Sequence, residues 1–182
     1  GTPATAKNCI CVGASENERS NFNGAQYGSW WPNDYPVAPY RNAPMADNPE
    51  QVVAFSSRGP TQDGRIRPDL VAPGTFVLST RSSRIAANNN AWAAFPGSRK
   101  YFYMGGTSMA TPLAAGAATL VRQFLRRDKG IANPSAALIK ATLIAGSKRL
   151  PDIGTAGAVC DNEQGFGRLD LDGALAPQAS SA

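Results

Sequence analysis

The chain has 182 residues, 42% of them hydrophobic, with 18 basic against 13 acidic side chains and no histidine. That length suits one domain able to bury a core, and its apolar runs are interrupted by Arg, Lys or Gly well short of a membrane span. Arginines scattered from Arg19 to Arg168 lack the clustering a nucleic-acid surface needs, so neither membrane nor nucleic acid is expected as a partner.

Residues 8–14 form an apolar run closed by small residues, the texture of a buried strand. Within it Cys9 and Cys11 fall on one face of an extended segment, too near for an easy mutual bridge. With Cys160 they make a weak zinc pattern, so buried thiols are expected. Residues 15–49 change to Asn, Gly, Pro and aromatics, including Trp30-Trp31-Pro32. The stretch is long for a structureless loop, and it reads as a surface excursion or a segment containing a hairpin. Residues 51–56 resume strand texture before the turn Ser57-Arg58-Gly59-Pro60, and residues 67–74 are bounded by prolines. Residues 75–80 read as a strand, 82–100 as a polar insertion, and 101–104 as a short strand entering a glycine pair.

The clearest element is a helix over 107–127. Thr107 can cap it, Ala and Leu fill it, and Arg126, Arg127 and Lys129 lie where its dipole favours cations. Gly130 ends it. A second helix is expected over 134–145, with Pro134 in its first turn and Gly146 after it. Residues 176–182 read as a frayed tail or linker after a domain of 1–175. Strands interleaved with helices point to an α/β layered fold. Residue 1 is glycine with no signal-peptide pattern behind it, so the start reads as a cut.

Ser108 stands immediately after the helix cap, where unpaired backbone N–H groups and the helix dipole favour negative charge. A tetrahedral oxyanion requires that environment. Gly105 and Gly106 remove side chains just upstream and allow close backbone approach. Pro112 has no N–H to offer the carbonyl one turn earlier. A serine hydroxyl needs a general base, and no histidine is present to provide one.

These residues resemble the subtilisin-like serine peptidases, the subtilases. The match rests on Gly106-Thr107-Ser108-Met109-Ala110-Thr111-Pro112 with Ala115-Gly116, on Phe55-Ser56-Ser57-Arg58-Gly59-Pro60, on Arg67-Pro68-Asp69-Leu70-Val71-Ala72-Pro73-Gly74, and on Gly165-Phe166-Gly167-Arg168-Leu169. The Met-Gly-Gly-Thr-Ser wording looks most like the oxidation-stable alkaline protease branch. The resemblance implies a three-layer α/β fold with a mostly parallel sheet, of which only the C-terminal half is present. It implies Ser108 as nucleophile, Thr107 shaping the oxyanion pocket, and Gly105 and Gly106 along the substrate channel. The catalytic Asp and His and the oxyanion Asn then belong to a missing N-terminal half, the partner this chain needs. Leu113 stands where many subtilases carry a non-catalytic histidine, a packing variation.

The implied enzyme is a secreted endopeptidase acting on proteins or peptides, with no cofactor required for the chemistry. Subtilases commonly bind structural calcium, and Asp47, Asn48 and Glu50 offer oxygen ligands for it; an ordinary solvated turn is the competing reading. Asp69 is expected to brace the Pro68/Pro73 turn through a surface ion pair with Arg65 or Arg67. Two other readings stay open: a non-catalytic fragment or pseudo-protease module, and a sedolisin-type Ser-Glu-Asp peptidase.

Overall fold

The computed structural model describes residues 1–151, 153–154 and 156–176. Two compact units form within the chain. One comprises Gly1–Gly13, Ser57–Ala72 and the chain from Ala110 onward; the other comprises Ala14–Ser56 and Pro73–Met109.

Strands β1 (Val12–Ser15) and β2 (Leu70–Pro73) pair with one another. Asp69 N–H donates to Cys11 O at 2.8 Å and Gly74 N–H to Ser15 O at 2.9 Å. The partner numbers rise together, so the pair is parallel. A parallel bridge also joins Val71 to Arg168. Near-continuous apolar strands suit this arrangement because both faces are covered.

In the first unit the core holds Leu70, Ala114, Ala117, Val121, Leu125, Leu143 and Ala174. Helix α2 (Thr107–Arg127) runs over the expected range. Its buried positions Ala110, Ala114, Ala117, Val121 and Leu125 recur at helical spacing along one face. Gly130, at φ +66°, reverses the chain after it. Helix α3 (Ala136–Ala145) starts two residues later than Pro134 because Ser135 is its cap, the Ser135 hydroxyl accepting from Leu138 N–H at 3.1 Å. A one-turn helix (Leu171–Leu175), which the sequence reading overlooked, is capped by Asp170 accepting from Gly173 N–H.

Asp69 is 5% exposed, which corrects the surface ion pair expected of it. Its Oδ1 accepts from Arg67 at 2.9 Å and from Lys140 Nζ at 2.8 Å, and its Oδ2 accepts from Cys11 N–H at 2.7 Å. Lys140 also donates to Cys9 O, and Arg67 to Ala4 O and Ala6 O. One carboxylate therefore ties α3, β1, β2 and the N-terminal segment together. Arg65 pairs instead with Asp63. The three cysteines are free and half-buried, and burial followed by the Asp69 charge pushes the Cys11 thiol up.

The second unit holds an antiparallel sheet in the order β3 (Val77–Thr80), β5 (Tyr101–Met104), β4 (Ala93–Ala94). Val77 faces Met104 and Thr80 faces Tyr101. The polar insertion at 82–100 thus contributes a short strand. Residues 51–56 are not a strand: Val52 makes one bridge to Ser15, and Ser56 N–H then closes a turn on Val53 O. The excursion over 15–49 contains short helical turns, among them α1 (Tyr27–Trp30), rather than a hairpin.

Aromatic packing orders that excursion. Phe22 stacks on Phe76 with centroids 4.1 Å apart, and Trp92 meets Trp30, Phe55 and Phe76 edge-on. Such pairs contribute about 1 kcal/mol each beyond area burial. They hold Phe76 at φ +44°, a region a bulky residue enters only when its surroundings overdetermine it. Of the tail expected over 176–182, Ala176 closes the last helical turn, and residues 177–182 lie outside the described residues.

Replacing Asp69 with Ala strands two half-buried cations and is expected to lower unfolding stability by about 3–5 kcal/mol. Ser135→Ala is expected to cost about 1 kcal/mol through loss of the cap. Urea midpoints of the two variants check both values.

Candidate functional site

The four residues expected at the site lie together where β5 passes into α2. Ser15 O accepts from Gly74 N–H at 2.9 Å, and Gly74 O accepts from Gly106 N–H at 2.7 Å. This short ladder pins the residue two before Ser108. A Cβ at position 74 would lie 2.6 Å from the Ala14 Cβ and 3.1 Å from Gly106 O, so only glycine lets the two backbones approach. Gly106 has φ +132°, a conformation glycine adopts without steric cost. Met109 N–H then donates to Gly106 O at 2.9 Å and closes the first turn.

Ser108 comes out of this junction exposed, while Gly105, Gly106 and Thr107 are half-buried. Its backbone N–H belongs to the first turn, whose donors lack partners within the helix. The arrangement presents a hydroxyl and a donor on one residue at the positive end of a 21-residue helix. That combination can attack a carbonyl and receive negative charge on its oxygen, given a base. Sequence reasoning missed Trp92, whose indole occupies the space a side chain at Gly105 would need. The small residue at 105 is therefore required by this ring as well as by any channel.

The loop carrying Asp47, Asn48 and Glu50 lies elsewhere. Asn48 Oδ1 accepts from Glu50 N–H at 3.0 Å, an Asx turn. Among the described residues no three His, Cys, Asp or Glu side chains converge as metal ligands. A calcium ion asks for six to eight oxygens, of which these three side chains would supply a part.

Asp47 instead neighbours Glu16, a residue the sequence reading passed over although it follows an apolar strand directly. Glu16 is 5% exposed, and its Oε1 accepts from the Tyr27 hydroxyl at 2.8 Å. The Tyr27 hydroxyl oxygen in turn accepts from Ala54 N–H. Burial, reinforced by the Asp47 charge, pushes the Glu16 carboxyl up to about 7 against the relief given by Tyr27.

A raised carboxyl means the native state holds a proton the unfolded chain releases near pH 4.5. Glu16 therefore imposes no penalty below that value, and stability declines as pH rises through about 7. The total decline attributable to it is about 3 kcal/mol. Glu16→Gln is expected to flatten this part of the profile, read as urea midpoints from pH 4 to 8. An unchanged slope would contradict the assignment.

The Subtilase family pattern matches residues 1–167. Serine protease AprX of Bacillus subtilis is 43% identical over 82 residues, 45% of this chain and 18% of that protein. Subtilisin-like protease SBT1.6 of Arabidopsis thaliana is 29% identical over 170 residues, 91% of this chain and 22% of its own length. The CspB protease of Clostridium perfringens superposes with a TM-score of 0.60 at 24% identity, covering 96% of this chain and 27% of that one. The fold is shared with that structure, and the chain spans a minor part of each of these relatives.

Proposed function

The chain belongs to the subtilase family, a family of serine peptidases, and from that premise we propose that it is the serine-bearing part of a secreted endopeptidase. Ser108 is the nucleophile that forms an acyl-enzyme with a protein or peptide substrate. Thr107 and the first-turn N–H groups shape the oxyanion pocket, and Gly105 and Gly106 border the substrate channel. The observation that carries the reading is the exposure of Ser108 at the head of α2, above a backbone ladder that leaves it little freedom. Preorganised donors of this kind lower the barrier by roughly 3–4 kcal/mol each.

The general base, its carboxylate partner and the further oxyanion donor come from polypeptide outside these residues. Two features support this. No histidine occurs among the 182 residues, and a serine without a base stays protonated at neutral pH. In the first unit, Leu113 and Leu120 on α2 and Leu138 on α3 stand exposed, at 41%, 46% and 36%. Large apolar side chains left in water on both helices suit surfaces that additional chain covers.

The absence of histidine also favours a second reading, a non-catalytic module. Fluorophosphonate labelling separates the two. In the full-length protein Ser108 is expected to label, and Ser108→Ala to lower kcat/KM roughly 10⁴-fold or more. The isolated 182-residue chain is expected to resist the probe. Proteolysis by the full-length protein that survives Ser108→Ala would overturn the assignment, and failure of that protein to label would favour the module.

A further inference from the structure

A cavity in the second unit stands apart from every residue assigned to hydrolysis. It holds about 290 Å³, and its lining includes the polar Glu16, Tyr27, Asp47, Asn48 and Gln51 together with Pro39, Tyr40 and Pro44. Glu16 is 5% exposed, and its Oε2 makes no bond of good hydrogen-bond geometry, although the Asp47 side chain and the Asn48 N–H both act on the carboxyl. A buried oxygen of this kind costs on the order of 1–3 kcal/mol when left unpaired, and more when charged. The Tyr27 proton is already committed to the other oxygen. Asp47 adds a second, exposed carboxyl beside it, and like charges repel unless a proton or a cation sits between them.

We propose that this cavity binds the basic side chain of a polypeptide, the guanidinium of an arginine or the ammonium of a lysine. The two carboxyl groups supply the acceptors, one N–H donor pairing with Glu16 Oε2 and another with Asp47. Charge-assisted bonds of this type are about twice as strong as neutral ones. The ring of Tyr40 and the two prolines offer an apolar wall for the alkyl stem, and an aromatic face attracts a cation. The volume, near the lower limit of about 300 Å³ for ligand pockets, suits one side chain rather than a larger molecule. A hard metal ion would draw on Glu16, Asp47 and the amide oxygens of Asn48 and Gln51, and the calcium arm of the test below separates it from the cationic side chain.

The cation binds the ionised form of Glu16, so affinity rises with pH as the carboxyl loses its proton. The titratable groups that act most strongly on Glu16 are Tyr27 and Asp47. At pH 8 Tyr27 remains protonated, its hydroxyl pushed up by burial and by Glu16.

The test uses the full-length protein carrying Ser108→Ala to prevent turnover, titrated calorimetrically with N-acetyl-arginine methylamide. The neutral isostere N-acetyl-citrulline methylamide and calcium chloride serve as the other two titrants. The arginine probe is expected to bind with a Kd of about 1 mM or tighter, at least tenfold better than the citrulline probe, and more tightly at pH 8 than at pH 6. Glu16→Gln is expected to weaken it tenfold or more. Should that buried substitution fail to fold, Asp47→Asn, at an exposed position, is expected to weaken it several-fold. Equal binding of the two probes would overturn the proposal, as would arginine binding indifferent to both substitutions. Calcium binding that depends on Glu16, with no arginine binding, would replace it with a metal site.

Discussion

Two consecutive main-chain bonds, Gly106 N–H to Gly74 O and Gly74 N–H to Ser15 O, decide where the reactive hydroxyl stands. They connect the end of a parallel strand pair to the turn that starts the long helix. Each bond alone contributes about 1 kcal/mol, but together they leave the Gly105-Gly106 turn one position to occupy. A helix that began from a looser loop would still have a dipole and free N–H groups. It would lack a defined distance between those groups and a bound carbonyl, and loss of about 1 Å of registration is costly to catalysis.

The aromatic cluster of the second unit explains why so irregular a segment can be ordered. Between residues 15 and 56 the chain forms only short helical turns and isolated bridges, so backbone pairing alone does not hold it. Phe22, Trp30, Trp31, Phe55, Phe76 and Trp92 bury large faces against each other. The same packing brings Trp92 against Gly105 and positions Tyr27 to reach Glu16. In the first unit the corresponding role falls to a charge, since Asp69 gathers Arg67, Lys140 and a backbone N–H at a buried point. One unit is thus ordered around rings and the other around a carboxylate and a helix face.

The two long helices were legible because their signals are local. Alanine and leucine spacing marks the buried face of α2, Gly130 ends it, and Ser135 caps α3. The strand at 101–104 was legible for the same reason, as an apolar run ahead of two glycines. The strand read at 51–56 failed because Val52, Val53 and Phe55 owe their burial to loop packing and rings, and burial without pairing looks identical in composition. The short strand at 93–94 has no composition of its own; it exists because β5 offers an edge. Asp69 was misjudged because two of its partners, Cys11 N–H and Lys140, are 58 and 71 positions away in sequence.

By itself the amino-acid sequence determined the family, the long helix and the serine at its head, since all three are written in contiguous residues whose spacing carries the physics. The tertiary structure alone decided that Ser108 is exposed over a ladder from Ser15 through Gly74, that Trp92 fills the space beside Gly105, and that Glu16 lies buried beside Tyr27 and Asp47. Those facts depend on which distant segments meet. A pairing between residues 11, 31 or 59 places apart leaves no periodicity to read, because its energy is realised only after the chain has folded.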